Sequence, residues 1–261
     1  MSEAASAPAR SSTSDAIVDL DAVSVWFGDV NAVGNVSIQV RPGEQLCILG
    51  RTGSGKSTVM RLISGSLVPT SGSVKVLGVD PARDGNALQG RVAMAFQTPR
   101  LLPWRTALAN AAVGLQILGV PRAERRERAQ EWLERVHLGH APTRYPAQLS
   151  GGMRQRVSLA RAFSVDPELV LLDEPFSALD EVTARGLRET FVDLAKAAGT
   201  TGVMVTHNIE EAFSVADRVL VFAEPARIVG RFDVADYDID DHQVMRSLRA
   251  DVHELMASND G

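Results

Sequence analysis

Short runs of β-branched and other apolar residues recur in the first third of the chain, as is typical of β-strands. They lie at residues 16–27, 36–40, 44–50 and 73–78, and a helix start at 55–58 separates the last two. This order predicts a β-rich lobe wrapped onto an α/β core.

The pattern changes after an apolar run at 92–97. From residue 98 to 160 the apolar residues follow helical spacing without a convincing strand, and Ala129, Trp132 and Leu133 share one helical face. This spacing therefore predicts an inserted α-helical subdomain.

Strand character returns at 168–175 and at 201–207. The intervening segment carries Leu187, Phe191 and Leu194 at helical spacing. Strands that alternate with helices are typical of a mostly parallel sheet.

These patterns divide the chain into five predicted segments. Residues 1–15, small and polar, are expected to be a disordered leader. Residues 16–97 hold the β lobe and the first half of the core, and 98–160 the helical subdomain. The second half of the core follows at 161–232, and 233–261 form a short C-terminal helical tail without a ligand-sensing domain.

Composition narrows the class of protein. With 261 residues, 45% of them hydrophobic, the chain can bury a large core. A formal net charge of -5 disfavours a nucleic-acid binder, which usually shows a basic excess. The single cysteine, Cys47, lies in an apolar run and is expected to be buried. The longest weakly polar stretch, 107–120, is shorter than the roughly 20 residues that a membrane-spanning helix needs.

A run of arginines lies among glutamates in the middle of the predicted helical subdomain. Opposite charges three or four residues apart on a helix pair with one another, so we expect a solvated, self-paired face. The residues concerned are Arg122, Arg125, Arg126, Arg128, Glu124, Glu127 and Glu131.

The stretch "GRTGSGKST", residues 50–58, fits the phosphate-loop pattern G-x-x-x-x-G-K-[ST]. Its glycines let the backbone amides curl around phosphate, Lys56 reaches the terminal phosphates, and the Ser57 hydroxyl is a ligand for Mg²⁺. It follows a predicted strand and opens a predicted helix, so we expect it to bind a nucleotide. The residues assigned to the nucleotide are Gly50, Gly53, Ser54, Gly55, Lys56, Ser57 and Thr58.

The stretch "LVLLDEP" supplies an acidic pair at the end of a buried strand. Asp173 is placed to hold Mg²⁺ and Glu174 to polarise the attacking water beside the γ-phosphate. A surface acidic pair is the alternative interpretation, and the presence of Lys56 argues against it.

Together these motifs resemble the nucleotide-binding subunit of an ATP-binding-cassette (ABC) transporter, over about residues 16–232. The family's signature sequence matches "LSGGMRQR" at 149–156, and its glutamine loop matches at Gln97. Its D-loop matches at 177–180 and its switch histidine at His207. The resemblance implies a P-loop NTPase core with a mostly parallel sheet, an antiparallel β lobe and an inserted α-helical subdomain.

The resemblance also implies a head-to-tail dimer. In this family the signature turn of one subunit, here Ser150, Gly151 and Gly152, closes over the γ-phosphate held by the other. Asp180 would reach across the same interface. A two-fold axis then creates two identical composite sites.

Further roles carry over residue by residue. Gln97 would touch Mg²⁺ or the attacking water, and His207 would contact the γ-phosphate. The family stacks adenine on an aromatic residue near the N-terminus, for which Phe27 is the first choice and Trp26 the second, with core packing as the alternative. Asn208 stands where the family often has Asp, and we expect it to cap the next helix.

The implied partners are integral-membrane permease subunits on separate polypeptides, an arrangement that resembles importers more than exporters. The "LLPW" stretch resembles the nitrate, sulfonate and taurine branch, and Leu101 and Trp104 are expected either in the permease groove or in internal packing. A second nucleotide-binding subunit, expected to be a second copy of this chain, completes the ATPase. A solute-binding protein would act indirectly.

The resemblance implies ATP and Mg²⁺ as ligands, no nucleic acid, and a cytoplasmic location at the inner face of the cell membrane. The alternatives are a soluble ABC ATPase acting on DNA or ribosomes, an importer ATPase for a different solute class, and an ATPase-dead regulatory module. The chain lacks the long coiled-coil arms and the second cassette of the soluble kinds, and Lys56, Asp173, Glu174 and His207 argue against a dead site.

Overall fold

The computed structural model describes residues 16–257; the leader predicted at 1–15 lies outside the described residues. The strands are β1 (Val18–Phe27), β2 (Val30–Val40), β3 (Gln45–Gly50), β4 (Ser71–Val76), β5 (Val92–Phe96), β6 (Leu169–Asp173), β7 (Thr201–Thr206), β8 (Arg218–Ala223) and β9 (Arg227–Asp233). The helices are α1 (Lys56–Ile63), α2 (Ala107–Ala111), α3 (Val113–Ile117), α4 (Arg122–Arg135), α5 (Gly151–Phe163), α6 (Glu181–Ala198), α7 (Ile209–Val215) and α8 (His242–Ala257).

The strands form two sheets. Three antiparallel strands make the β lobe in the order β2-β1-β4. Strand β2 begins at Val30 rather than at residue 36, because the chain reverses at Gly28 (φ 59°) and Phe27 pairs directly with Val30. The predicted antiparallel lobe is confirmed, with a longer second strand than the apolar pattern indicates.

The second sheet has six strands in the order β5-β6-β7-β3-β8-β9. All neighbours in it are parallel except the last pair, β8 and β9. The carboxyl ends of β5, β6, β7 and β3 therefore meet at one edge, where ligands bind in open α/β sheets.

Hydrophobic cores cover both faces of this sheet. In β3, Leu46 and Ile48 belong to the core shared with the β lobe and α1, whereas Cys47 and Leu49 belong to the core under the other helices. Burial on both faces explains why parallel strands such as β3 are continuously apolar. Cys47 is fully buried as predicted, and burial raises the pKa of its thiol.

Between Phe96 and Leu169 the described chain contains helices α2 to α5 and no strand. Trp132 of α4 stacks on Phe163 of α5 with ring centroids 5.4 Å apart, and Phe163 contacts Phe191 of α6 at 6.0 Å. This aromatic row joins the helical insertion to the α/β core. The segment boundaries themselves stay predictions.

The predicted self-pairing is wrong for three of the four arginines of this face, although Arg122 and Arg126 are exposed as predicted. Arg128 pairs with Glu124 at 3.7 Å and with Asp166. Within residues 16–257, the arginines at positions 122, 125 and 126 form no ion pair.

The segment predicted as a helical tail contains helix α8, which buries Leu248, Val252 and Met256 against the core. None of the helices described between residues 16 and 257 combines the length and the apolar character needed to cross a bilayer.

Candidate nucleotide-binding and catalytic site

The phosphate loop connects β3 to α1. Lys56, the first residue of α1, is buried, and its Nζ donates hydrogen bonds to the carbonyl oxygens of Gly50 (2.7 Å) and Arg51 (2.8 Å). Burial lowers the pKa of Lys56, and the negative charges of Glu174 and Asp173 oppose that shift. The ammonium group is therefore held at the centre of the loop and faces the acidic pair.

Glycines are required in this loop by conformation and by space. Gly53 and Gly55 adopt φ values of 93° and 82°, in the left-handed region that favours glycine. A Cβ on Gly50 would lie 2.5 Å from the Ser54 Oγ, because the Ser54 side chain is buried and points toward that glycine. Ser54 thus offers its backbone, and not its hydroxyl, to the loop.

The β lobe supports the loop from behind. The Ala226 amide donates to the Ala32 carbonyl oxygen at 3.2 Å, and a Cβ on Gly55 would lie 2.7 Å from that same oxygen and against the Ala226 Cβ. Ala32 belongs to the hairpin that carries Phe27, so the hairpin and the phosphate loop are adjacent.

This contact gives a testable result for the Gly55→Ala substitution. We expect it to lower the free energy of unfolding by about 2–5 kcal/mol, since a left-handed non-glycine residue costs about 1–2 kcal/mol and an overpacked contact about 1–3 kcal/mol. Gly28→Ala is the matched control, because Gly28 also has a positive φ (59°) but an added Cβ would meet nothing within 4 Å. Urea denaturation measures both, and equal losses would contradict the packing explanation.

The acidic pair lies at the carboxyl end of β6. Asp173 is the last residue of β6 and pairs with Val205 of β7, and Glu174 follows in the left-handed region with φ 45°. The Glu174 amide is held by the Val205 carbonyl oxygen at 3.0 Å. A strained backbone of this kind concentrates at functional positions, where the surrounding structure fixes it.

His207 follows β7 and lies beside the acidic pair. Its Nδ1 is 3.1 Å from the Glu174 Oε2. Burial and the charge of Glu174 raise the pKa of Asp173, whereas Arg100, Lys56 and Arg61 act in the opposite direction. The phosphate-loop lysine, both carboxylates and the histidine therefore form one electrostatically coupled group.

Gln97 joins this group through a residue that the sequence patterns do not assign. Its Nε2 donates to the Ser177 Oγ at 3.1 Å, and that hydroxyl donates to the Glu174 carbonyl oxygen at 3.0 Å. Ser177 is the first residue of the "SALD" motif, and membership of that motif is the sequence feature that could have identified it. The glutamine loop is thus linked through Ser177 to the backbone of Glu174.

The signature turn begins helix α5. Ser150 is the N-cap, and its Oγ accepts a hydrogen bond from the Met153 amide at 3.2 Å. A Cβ on Gly152 would collide with the Thr183 methyl group, which explains the small residue there. Gln155, in the same helix, is buried and donates to the Phe96 carbonyl oxygen at 3.1 Å. This turn packs against α6 and the end of β5.

Asp180 and the two aromatic candidates lie on the surface. Asp180 caps α6, its Oδ1 accepts from the Thr183 amide at 3.0 Å, and the hydrogen bonds from Thr183 lower the pKa of its carboxyl. Phe27 and Trp26 are 49% and 48% exposed, so neither is a core residue. Both rings are therefore partly exposed to solvent, on opposite faces of β1.

A sequence profile of the ABC transporter family matches residues 33–177, more than half of the chain. The chain belongs to the ABC transporter family. It is an ABC ATPase whose cassette fold is shared with solved relatives. The dimeric structure of a post-hydrolysis state of an ATP-binding cassette bound to ADP and Pi matches it with a TM-score of 0.72 and 31% identity, over 83% of this chain and 98% of that one.

Two curated relatives are similar over most of the cassette. The taurine import ATP-binding protein of Chromobacterium violaceum is 44% identical over 217 residues, which cover 82% of each protein. The aliphatic sulfonates import ATP-binding protein of Mycobacterium avium is 40% identical over 226 residues, which cover 87% of this chain and 85% of the relative.

One departure from the family pattern has a simple structural outcome. Asn208 is the N-cap of α7, and its Oδ1 accepts a hydrogen bond from the Glu211 amide at 3.1 Å. The predicted capping role is confirmed. Asp at this position would accept the same hydrogen bond, so Asn208 in place of Asp keeps the start of α7, directly after His207, intact.

Two polar residues that belong to no motif, one partly buried and one buried, hold the loop after Gln97 in place. Arg161 donates to the carbonyl oxygens of Pro99 (2.7 Å) and Arg100 (2.9 Å), and burial lowers the pKa of its guanidinium. Asn110 is fully buried, accepts from the Leu102 amide at 2.7 Å and donates to nearby carbonyl oxygens. Together they fix the loop that carries Trp104.

Proposed function

We propose that this chain is the ATPase subunit of an ABC importer that couples ATP binding and hydrolysis to uptake of a small solute through separate permease subunits. The coupled group of Lys56, Asp173, Glu174 and His207 at the sheet edge is the observation that carries the enzymatic half of the proposal. The import half is supported by relatives that are named as import ATP-binding proteins.

In the proposed reaction the phosphate loop holds the triphosphate of ATP. Backbone amides at 53–58 and the Lys56 ammonium surround the phosphates, and Glu174 accepts a proton from the attacking water. His207, 3.1 Å from Glu174, would contact the γ-phosphate, and Gln97 would sense the reacting centre through Ser177. Gly50, Gly53, Ser54, Gly55, Ser57 and Thr58 complete this loop.

The residues present fit Mg²⁺. Ser57, Gln97 and Asp173 offer a hydroxyl, an amide oxygen and a carboxylate, and hard oxygen donors combined with substrate phosphates are the ligands that Mg²⁺ prefers. The raised pKa of Asp173 reflects burial beside Glu174, a negative pair that a divalent cation would balance. When bound, the ion would neutralise charge on the phosphate oxygens.

We infer that two copies of this chain pack head to tail. Ser150, Gly151 and Gly152 open a helix of 13 residues, so their amides and the helix dipole favour an anion. A Cβ added to Gly151 or Gly152 would contact Leu179 or Thr183, so this turn packs against the start of α6. The glycines of the phosphate loop pack instead against Phe222 and Ala226. A phosphate held by one subunit would therefore be capped by the signature turn of the other, with Asp180 at the same interface.

Adenine would stack on Phe27, which lies on the exposed hairpin beside the phosphate loop. The ring is half exposed, so stacking would cover apolar surface that the isolated chain leaves in water. Trp26, equally exposed, is the second candidate.

The solute we propose is a taurine-like or aliphatic sulfonate compound, with nitrate in the same class, because import of the first two is named in relatives 40–44% identical. The chain would act in the cytoplasm at the inner face of the membrane, with integral-membrane permeases as partners and a solute-binding protein acting indirectly. Nucleic acid is not among the expected partners.

Affinity purification of the tagged chain from detergent-solubilised membranes tests the import proposal. We expect integral-membrane proteins to co-purify in an ATP-dependent manner. Recovery with ribosomes or chromatin, and without membrane proteins, would favour the alternative of a soluble ABC ATPase. Transport assays on the recovered complex with taurine, alkanesulfonates and nitrate would then identify the solute.

Trp104 is the residue with the clearest predicted effect on permease coupling. It is 70% exposed, whereas Leu101 is partly buried against the core, so internal packing does not account for the tryptophan. Trp104→Ala should keep the ATPase rate of the isolated subunit within about twofold and weaken permease association about tenfold or more, since buried interface tryptophans are often worth about 2 kcal/mol.

Trp132→Ala is the matched control for the packing explanation. Trp132 is 5% exposed and stacks on Phe163, so its loss should lower the free energy of unfolding by about 3–5 kcal/mol. Co-purification with the permease and urea denaturation separate the two effects. Equal destabilisation by both variants would assign Trp104 to packing.

A further inference from the structure

The helical subdomain contains a basic cavity that the ATPase site does not use. The cavity has a volume of about 310 Å³ and lies between α2, α3 and the beginning of α4. Four of its lining residues are arginines, and the lining contains no Asp or Glu. The arginines are Arg105, Arg122, Arg125 and Arg126.

Three of the five arginines of α4 share one side of the helix, and Arg128 and Arg135 lie elsewhere on it. At helical spacing these three, Arg122, Arg125 and Arg126, extend the line of Ala129 and Leu133 toward the start of α4. Arg125 is half-buried there, and the other two are exposed. Two turns of this line therefore present arginines where apolar residues would normally lie. The four glutamates of the same helix, at 124, 127, 131 and 134, point away from this side.

No carboxylate neutralises these arginines within residues 16–257. The ion pairs of this part of the chain do not include Arg105, Arg122, Arg125 or Arg126. Glu124, the acidic residue of the first turn of α4, pairs with Arg128 instead. The cavity thus concentrates positive charge in a chain whose net charge is negative.

Arg105 is held in position from both ends. Its carbonyl oxygen accepts from the Nδ2 of buried Asn110 at 3.0 Å, and its Nη1 donates to the Gln116 Oε1 at 2.7 Å. A guanidinium fixed in this way loses less conformational entropy when it binds a ligand.

Helix stability does not explain the arginines. They occupy the first turns of α4, where the helix dipole disfavours positive charge, and the N-cap, Pro121, provides no side-chain hydrogen bond. A bound anion would remove this conflict, because it would interact favourably with the guanidinium groups and with the helix start.

We propose that this cavity binds a phosphate group. Guanidinium groups match the oxygens of phosphate in bidentate geometry, and several of them suit a dianion better than a single carboxylate. The phosphate would come from a free phosphate compound or from the headgroup of an anionic phospholipid, and both sources offer the same chemistry. The site is separate from the phosphate loop, which lies between β3 and α1.

The double variant Arg122→Gln/Arg125→Gln tests this site. Glutamine keeps the helix propensity and removes the charge, so the variant should be at least as thermally stable as the parent protein. The matched control is Arg83→Gln/Arg246→Gln, which removes two charges from exposed positions outside the cavity. Neither pair belongs to the nucleotide site.

Isothermal titration calorimetry with inorganic phosphate tests binding of free phosphate. The titration is carried out at saturating ADP, so that the phosphate loop is in the same state in the parent protein and in both variants. Co-sedimentation with phosphatidylglycerol vesicles, against phosphatidylcholine vesicles, measures the lipid arm. We expect binding in at least one arm to weaken about tenfold or more in the cavity variant, to stay unchanged in the control, and to weaken with rising salt.

The arm that responds identifies the source of the phosphate. Binding in neither arm, or equal binding by the parent protein and the cavity variant, would overturn the proposal. Binding of poly-glutamate alone, without phosphate or anionic vesicles, would also overturn it and indicate an acidic protein partner.

Discussion

Glu174→Gln is expected to lower the rate of ATP hydrolysis by roughly 10²–10⁴-fold while ATP still binds, because removal of a general base costs about that much. Glutamine preserves the size of the side chain and its reach toward His207, which lies 3.1 Å away, but it does not accept a proton from water. The variant should therefore accumulate as an ATP-bound dimer.

Steady-state hydrolysis, nucleotide binding and gel filtration with ATP measure these three properties. Glu168→Gln is the matched control, since Glu168 precedes the same strand and pairs with Arg91 on the surface. That variant should keep its hydrolysis rate. A Glu174→Gln protein with normal turnover would remove Glu174 from the proposed role.

The second large effect concerns Ser150→Arg. An arginine at the N-cap of α5 would fill the space where the signature turn meets the γ-phosphate of the other subunit. Loss of donors of this kind costs about 10²–10³-fold in rate, so the Ser150→Arg homodimer should be nearly inactive. Its own phosphate loop should bind ATP normally.

Mixed dimers decide whether the signature turn acts in trans. A dimer that pairs a Ser150→Arg subunit with a Lys56→Ala subunit keeps one intact composite site if the turn serves the other subunit. A dimer that pairs a Ser150→Arg/Lys56→Ala subunit with an unchanged subunit keeps none. The two dimers contain the same substitutions, so differences in folding do not distinguish them.

Single-turnover hydrolysis in doubly tagged, purified dimers is the measurement. We expect activity in the first dimer and a loss of about 10²-fold or more in the second. The reverse order of activities would mean that each turn serves its own subunit, and the head-to-tail proposal would fail.

Much of the catalytic half of the site could be predicted from consecutive residues. The spacing of glycines and lysine at 50–58 fixes a backbone cradle, and a buried strand that ends in Asp173 and Glu174 places two carboxylates at a sheet edge. The structure brings these residues together with His207, as the order of the parallel strands requires. Their catalytic roles stay predictions until the variants are measured.

The helical subdomain was harder to predict. The mixed charges at 122–128 suggested a self-paired face, yet three arginines line a cavity instead. Sequence spacing gives the side of a helix on which a residue lies, but not what that side packs against. The structure shows that this side of α4 faces Arg105, which is held in place by buried Asn110 and by Gln116.

The sequence by itself determined the strand and helix content of the core, the phosphate loop and the helix cap at Asn208, because each depends on residues that are neighbours along the chain. Only the tertiary structure decided the link from Gln97 through Ser177 to Glu174 and the exposure of Phe27. These depend on segments far apart in the chain that meet through packing, and local hydrogen bonding and spacing do not specify such contacts.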